Sequence, residues 1–111
     1  MLNDAALVIA ANAIDAAIDG MRLHSGARGA AGTTNQVGSL AAIEGTVDAD
    51  GDITWANVPF TGLAADQAVA EISLWAGATY MGGGALTTGD TTANAAGEYT
   101  VVEWVETSSA T

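Results

Sequence analysis

Alanine supplies 25 of the 55 hydrophobic residues in this 111-residue chain, so only 30 side chains are apolar and larger than a methyl group. Hydrophobic stabilisation scales with the apolar area removed from water, and alanine adds little of it. A chain of this length suits one domain, residues 1–111, with a single core. With so few bulky side chains that core is thin. Packing against neighbouring molecules is the simplest way to complete it, so the composition predicts a homo-oligomer.

The order of elements follows from periodicity and punctuation. Asn3 or Asp4 is a suitable helix cap, and residues 4–19 then place Leu7, Ala11, Ile14 and Ile18 on one face, with Gly20 as the expected stop. Such a stripe needs cover, and a sheet is the expected partner. Met21 to His24 alternates as a short strand. Residues 25–39 carry four glycines among Thr and Asn and no period, which predicts a flexible, exposed loop able to reach a neighbouring subunit. From residue 40 to 106 the pattern is β-rich. Leu40–Val47 and Ile53–Val58 flank the turn Asp48-Ala49-Asp50-Gly51-Asp52 as a candidate hairpin, and Pro59 should break the second strand or hold it at an edge. Ala68–Ala76 alternates, with Ala70, Ile72 and Leu74 opposite Val69, Glu71, Ser73 and Trp75. Thr79–Met81 ends at Gly82-Gly83-Gly84, and Ala85–Thr87 resumes. Residues 98–106 carry large apolar groups on both faces, which predicts a central or partner-covered strand. One helix and six or seven short strands make a mainly β fold, a small β-sandwich or barrel-like domain with one N-terminal helix.

Charge narrows the partners. Thirteen acids face two arginines and no lysine, for a net charge of −11. Ten carboxylates and no cation follow Arg28. Phosphate backbones and anionic membranes are bound by Lys and Arg, so neither nucleic acid nor a membrane surface is an expected partner. The acidity reads as a solvated, self-repelling surface. No cysteine is present, which removes thiolate metal sites and disulfides. The apolar start holds Asp4, Asp15 and Asp19 and lacks the basic lead of a signal peptide, so synthesis in the cytoplasm is expected.

No constellation points to catalysis. His24 is the single histidine, and no G-x-S-x-G elbow accompanies it, so it reads as a hydrogen-bonding residue at a strand end. The thirteen acids offer pairs for glycosidase chemistry, but nothing marks one pair out. Asp48, Asp50 and Asp52 have the spacing of a calcium loop. The glycine needed at its sixth position and the acid at its twelfth are replaced by Ile53 and Pro59, so they are weak metal candidates and read as a turn. Gly82-Gly83-Gly84 has no following Lys and cradles no phosphate; close backbone approach or a bulge is the expected use. No cofactor is implied. Trp55, Trp75 and Trp104 read as core or interface anchors before a sugar platform. Trp75 and Trp104 share strand faces with polar residues, as subunit contacts often do. With the two cations Arg22 and Arg28, they are the residues expected at an interface.

Three segments then suggest a family: Met21-Arg22-Leu23-His24-Ser25 opening the Gly/Thr/Asn loop, Ile72-Ser73-Leu74-Trp75-Ala76, and Met81-Gly82-Gly83-Gly84-Ala85-Leu86-Thr87. With the alanine-rich helix before them, they resemble a group of short tailed-bacteriophage virion proteins of the tail fibre-like, minor tail or decoration type. Gly26-Ala27-Arg28 departs from the acidic-proline pair that often follows the first motif in that group. The resemblance implies a non-enzymatic structural component located on the virion. Its partners would be copies of itself and other virion proteins such as the major capsid or tail proteins. A host-surface glycan-binding module is the alternative.

Overall fold

Asn3 caps the helix, its side-chain oxygen accepting from Ala6 N–H at 3.0 Å, and α1 runs over Asp4–Ala17. The helix stops earlier than the sequence predicts. Ile18 is already extended, and Gly20, expected as a helix cap, opens the first strand instead. The reason lies at Asp19: its N–H bonds to Trp75 O and its carbonyl accepts from Ile43 N, so the backbone is drawn into sheet pairing there.

The computed structural model describes residues 2–107. Seven strands follow α1: β1 (Gly20–His24), β2 (Gln36–Ala42), β3 (Thr46–Val47), β4 (Ile53–Phe60), β5 (Glu71–Ala76), β6 (Thr79–Ala85) and β7 (Tyr99–Glu106). They form two antiparallel sheets, ordered β2-β1-β5-β6 and β3-β4-β7. The fold is mainly β, a small β-sandwich-like domain with one N-terminal helix, as the sequence predicts. Two separate sheets, not a closed barrel, face each other.

Between them lies one core. Met21 and Leu23 of β1 and Ile72 and Leu74 of β5 point at Ile53, Trp55, Val58 and Phe60 of β4 and Tyr99 and Val101 of β7. Sheet register explains why these residues share a face: Met21 pairs with Leu74 and Leu23 with Ile72. From α1 and its end only Ala11 and Ile18 are buried. Ile14, expected on the covered face, is 46% exposed, and Ile9 is 73% exposed. The helix stripe is therefore only partly covered.

Several strand readings are corrected. The loop expected over 25–39 ends at Asn35, because β2 starts at Gln36, where Gln36 and Val37 pair with His24 and Leu23 of β1. Leu40–Val58 is not one hairpin. Its first arm lies in the other sheet, and only Thr46 and Val47 pair with Thr54 and Ile53 across the aspartate turn. Pro59 does not break β4; it pairs with Thr100. β3 is too short to reach it, so on that side β4 is an edge, where a missing N–H does no harm. Gly82-Gly83-Gly84 does not end a strand but runs through the middle of β6 beside a bulge at Leu74/Trp75. There Gly83 takes φ +154°, and a Cβ on it would collide with the carbonyl oxygen of Ile72. β7, expected to be central or covered by a partner, is not central: it is an edge strand with Val102 and Val105 exposed. Its inward face switches beyond Val101, so Trp104 and not Val105 packs on the core. β4 switches at the same level, where Asn57 adopts φ +53°.

Candidate functional site

β1 and β5 are buried on both faces, so the first sheet has a second layer behind the core. Strand alternation sends Arg22, His24, Glu71, Ser73 and Trp75 to this outer side. Residues 25–35 fold back over it. Ser25 N bonds Asn35 O, Thr34 N bonds Arg28 O, and Asn35 Nδ2 bonds Ala27 O, which tie the loop to itself. Arg28 then fastens it to the sheet. Its Nη1 lies 2.7 Å from Glu71 Oε1, and its Nε donates to the Tyr80 hydroxyl at 2.7 Å. The Tyr80 ring packs at a tilt on Trp75, with centroids 5.5 Å apart. The hydrogen bonds that Arg28 donates, first to Tyr80 and then to Glu71, raise its pKa. Arg28 in turn holds the Glu71 carboxyl below its ordinary value.

Beneath this clasp lies a chain of short hydrogen bonds. His24 Nδ1 is 2.7 Å from Thr34 O, and a carbonyl can only accept, so Nδ1 carries a proton. A neutral ring with that tautomer accepts at Nε2 from the Ser73 hydroxyl, also at 2.7 Å. Trp75 Nε1–H donates to the same Ser73 oxygen at 2.7 Å. Every polar group in the chain Trp75–Ser73–His24–Thr34 is thereby satisfied.

A serine bonded to a histidine whose other nitrogen is held by an oxygen has the outline of a nucleophile and its base. The surroundings remove the chemistry. His24 and Ser73 are both fully buried, and the indole occupies a lone pair of the Ser73 oxygen, so no substrate reaches it. Sequence spacing gave no sign of this pair, 49 residues apart; only the register His24↔Glu71, Arg22↔Ser73 brings it together.

The expected interface residues separate. Trp75, expected at an interface, is 8% exposed and engaged within the chain with Ser73 and Tyr80. Arg28 serves the clasp within the chain. Trp104 is half-buried on the other sheet, bonding Glu106 Oε1 at 3.0 Å, with its ring on Gly84, where a Cβ would come within 2.8 Å of it. Trp75 and Trp104 thus form no common platform for a sugar. Arg22 alone among the four is half-exposed with a side chain that makes no ion pair or hydrogen bond among the described residues.

The aspartate turn is a local scaffold. Asp48 Oδ1 accepts from Asp50 N at 2.9 Å and Asp52 N at 3.0 Å. Among the described residues no cluster of acids and histidine is arranged to hold a metal ion. Two further acids that the sequence suggested were solvated also serve as acceptors: Asp15 for Gly45 N and Asp19 for Gly77 N, each at 3.0 Å.

The second candidate is a groove between α1 and the sheets, of about 610 Å³. Leu7 and Ile14 lie on its helical side and Met81 on the opposite one, with Ile18, Ile53 and Leu74 buried at its base. The bare backbone of Gly82 and Gly83 leaves that opposite side low. Neither known protein families, nor curated proteins, nor solved structures give a match to this chain.

Proposed function

We propose that this chain is a non-enzymatic structural component of a tailed-phage virion, at the tail, the baseplate or the capsid surface. It acts by contacts with copies of itself and with neighbouring virion proteins. The observation that carries this reading is the apolar surface left on α1. In a chain with few bulky side chains, Leu2, Ile9 and Ile14 stand in solvent beside an apolar groove. Exposed apolar surface of this kind is what a neighbouring subunit covers.

The three segments that resemble virion proteins lie together as β1, β5 and β6, adjacent strands of one sheet. Their distinctive residues build the buried layer and the glycine-lined edge, which supports a scaffold role. Burial of the Ser73–His24 pair supports the absence of turnover.

The test is protein mass spectrometry of density-gradient-purified, salt-washed particles of the phage that encodes the chain. Recovery at a fixed copy number per particle is the expected result. Presence in the infected-cell lysate with absence from washed particles refutes the proposal.

A further inference from the structure

The groove beside α1 differs from the rest of this surface. In a chain of thirteen acids, its walls include a single carboxylate, Glu106, and no cation. Its floor is aliphatic: Ile18, Ile53 and Leu74 are buried at its base, while Ile14 and Met81 stand half in solvent on its two sides. Met81 alone is 48% exposed. The volume, about 610 Å³, is in the range of clefts that enclose a ligand-sized apolar body.

What surrounds the floor is acidic. Gly51, which lines the groove, belongs to the Asp48–Asp52 turn. Glu106 stands in the wall, and Asp4 opens the helix between Leu2 and Leu7, which both line the groove. Both arginines lie elsewhere, on the outer side of the first sheet.

The occupant follows from this charge pattern. A second copy would bring a further −11 to the same rim, and it has no lysine to offset it. Like charges set face to face oppose association, whereas opposite ones speed encounter and fix register. A segment with aliphatic side chains for the floor and Lys or Arg on its flanks meets both demands.

We infer that the groove between α1 and the sheets is a docking site for an amphipathic, basic segment of a different protein. The inference rests on the assembly reading above and deepens it by naming the chemistry of one neighbour.

The test uses the whole chain and three synthetic helical peptides: one of Leu and Lys, one with every Lys replaced by Glu, and one with every Leu replaced by Ser. Calorimetry measures binding, and amide chemical shifts locate it. The Leu/Lys peptide should bind about tenfold or more tighter than either control. Its binding should weaken with salt and shift the amides of Ile14, Met81, Gly82 and Gly83. The double variant Ile14→Asn, Met81→Asn should bind it about tenfold more weakly. Both residues are half-exposed, so the variant should fold, and the shift map on the unaltered chain provides an independent reading.

Equal binding to the variant, or shifts spread over the aspartate turn and outer sheet alone, would reduce the effect to general charge attraction and overturn the inference. So would a dimer, seen by sedimentation, that dissociates on Met81→Asn. Failure here with the chain recovered on particles removes only the groove assignment. Success here with the chain absent from particles removes only the virion reading.

Discussion

Replacing Ser73 with alanine tests the buried hydrogen-bond chain most directly. The substitution removes one hydroxyl and leaves two groups without partners: Trp75 Nε1–H, which donates to Ser73 Oγ, and His24 Nε2, which accepts from it, each now 2.7 Å away. Each buried polar group left unpaired costs roughly 1–3 kcal/mol. The space of a lost hydroxyl is too small for a water to replace it. The expected loss is therefore about 2–5 kcal/mol, a large part of the roughly 5–15 kcal/mol that holds a domain folded. With a slope of about 1–2 kcal/mol per molar urea, the unfolding midpoint followed by tryptophan fluorescence should fall by about 2 M with the slope unchanged. The same Ser73→Ala change in a Trp75→Phe background should cost about 1–2 kcal/mol less, because the indole N–H is no longer there to be orphaned. As His24 is the sole histidine, its ring nitrogens are readable by NMR without ambiguity, and the proton should sit on Nδ1. A loss below about 0.5 kcal/mol, as at an ordinary surface site, would refute the reasoning. So would full additivity in the double variant, or a proton on Nε2 alone.

Three further outcomes are expected. Arg28 favours the ionised form of Glu71 in the fold, so that contribution is present above the ordinary carboxyl value of 4.5 and lost as pH falls below it. Glu71→Gln should cost about 0.5–1 kcal/mol at pH 7 for this partly exposed pair and less at pH 3, measured by urea unfolding at both. Gly83→Ala should destabilise by about 2–4 kcal/mol, since φ +154° is strained for alanine and its Cβ meets the Ile72 carbonyl. A melting temperature equal to that of the unaltered chain would contradict the close approach of β5 and β6. Asp48→Ala should cost about 0.5–1 kcal/mol, because water replaces its carboxylate at the exposed N–H groups of Asp50 and Asp52. Millimolar calcium should leave the melting temperature of the unaltered chain in place; a calcium-dependent rise lost in Asp48→Ala would assign the turn a metal.

What could be read from the sequence was local. Helix start, turn and strand positions depend on neighbours within a few residues, and Asn3, the Asp48–Asp52 turn and the alternation of Met21–His24 all behave as that grammar predicts. The class of fold followed from their sum. What could not be read was pairing at a distance. Nothing near residue 43 says that the chain there leaves one sheet for the other, since that depends on Asp19, which accepts from Ile43 N–H. The loop after Ser25 looked unpaired because its partners, Glu71 and Tyr80, lie 43 and 52 residues beyond Arg28. Trp75 looked like an interface residue because its strand face was polar. That polarity belongs to a buried layer, in which Ser73 and His24 satisfy the indole and one another.

The exposed helix has the same origin as the thin core. Bulky side chains on β1, β4, β5 and β7 are directed at one another between the sheets. The outer side of the first sheet is closed differently, by a polar loop and a hydrogen-bond chain that need little apolar area. Met21, Leu23, Ile72 and Leu74 thus already have the second sheet as cover, and α1 reaches the core through Ala11 and Ile18 alone. Across the groove from α1, Gly82 and Gly83 of β6 present bare backbone where side chains would have filled the gap. Filling it from within would require bulk at Gly83, which the Ile72 carbonyl forbids, or at Gly84, which Trp104 already covers. Gly82 is left, its φ of +136° itself unsuited to a larger residue. The groove is therefore a consequence of how β5 and β6 approach each other.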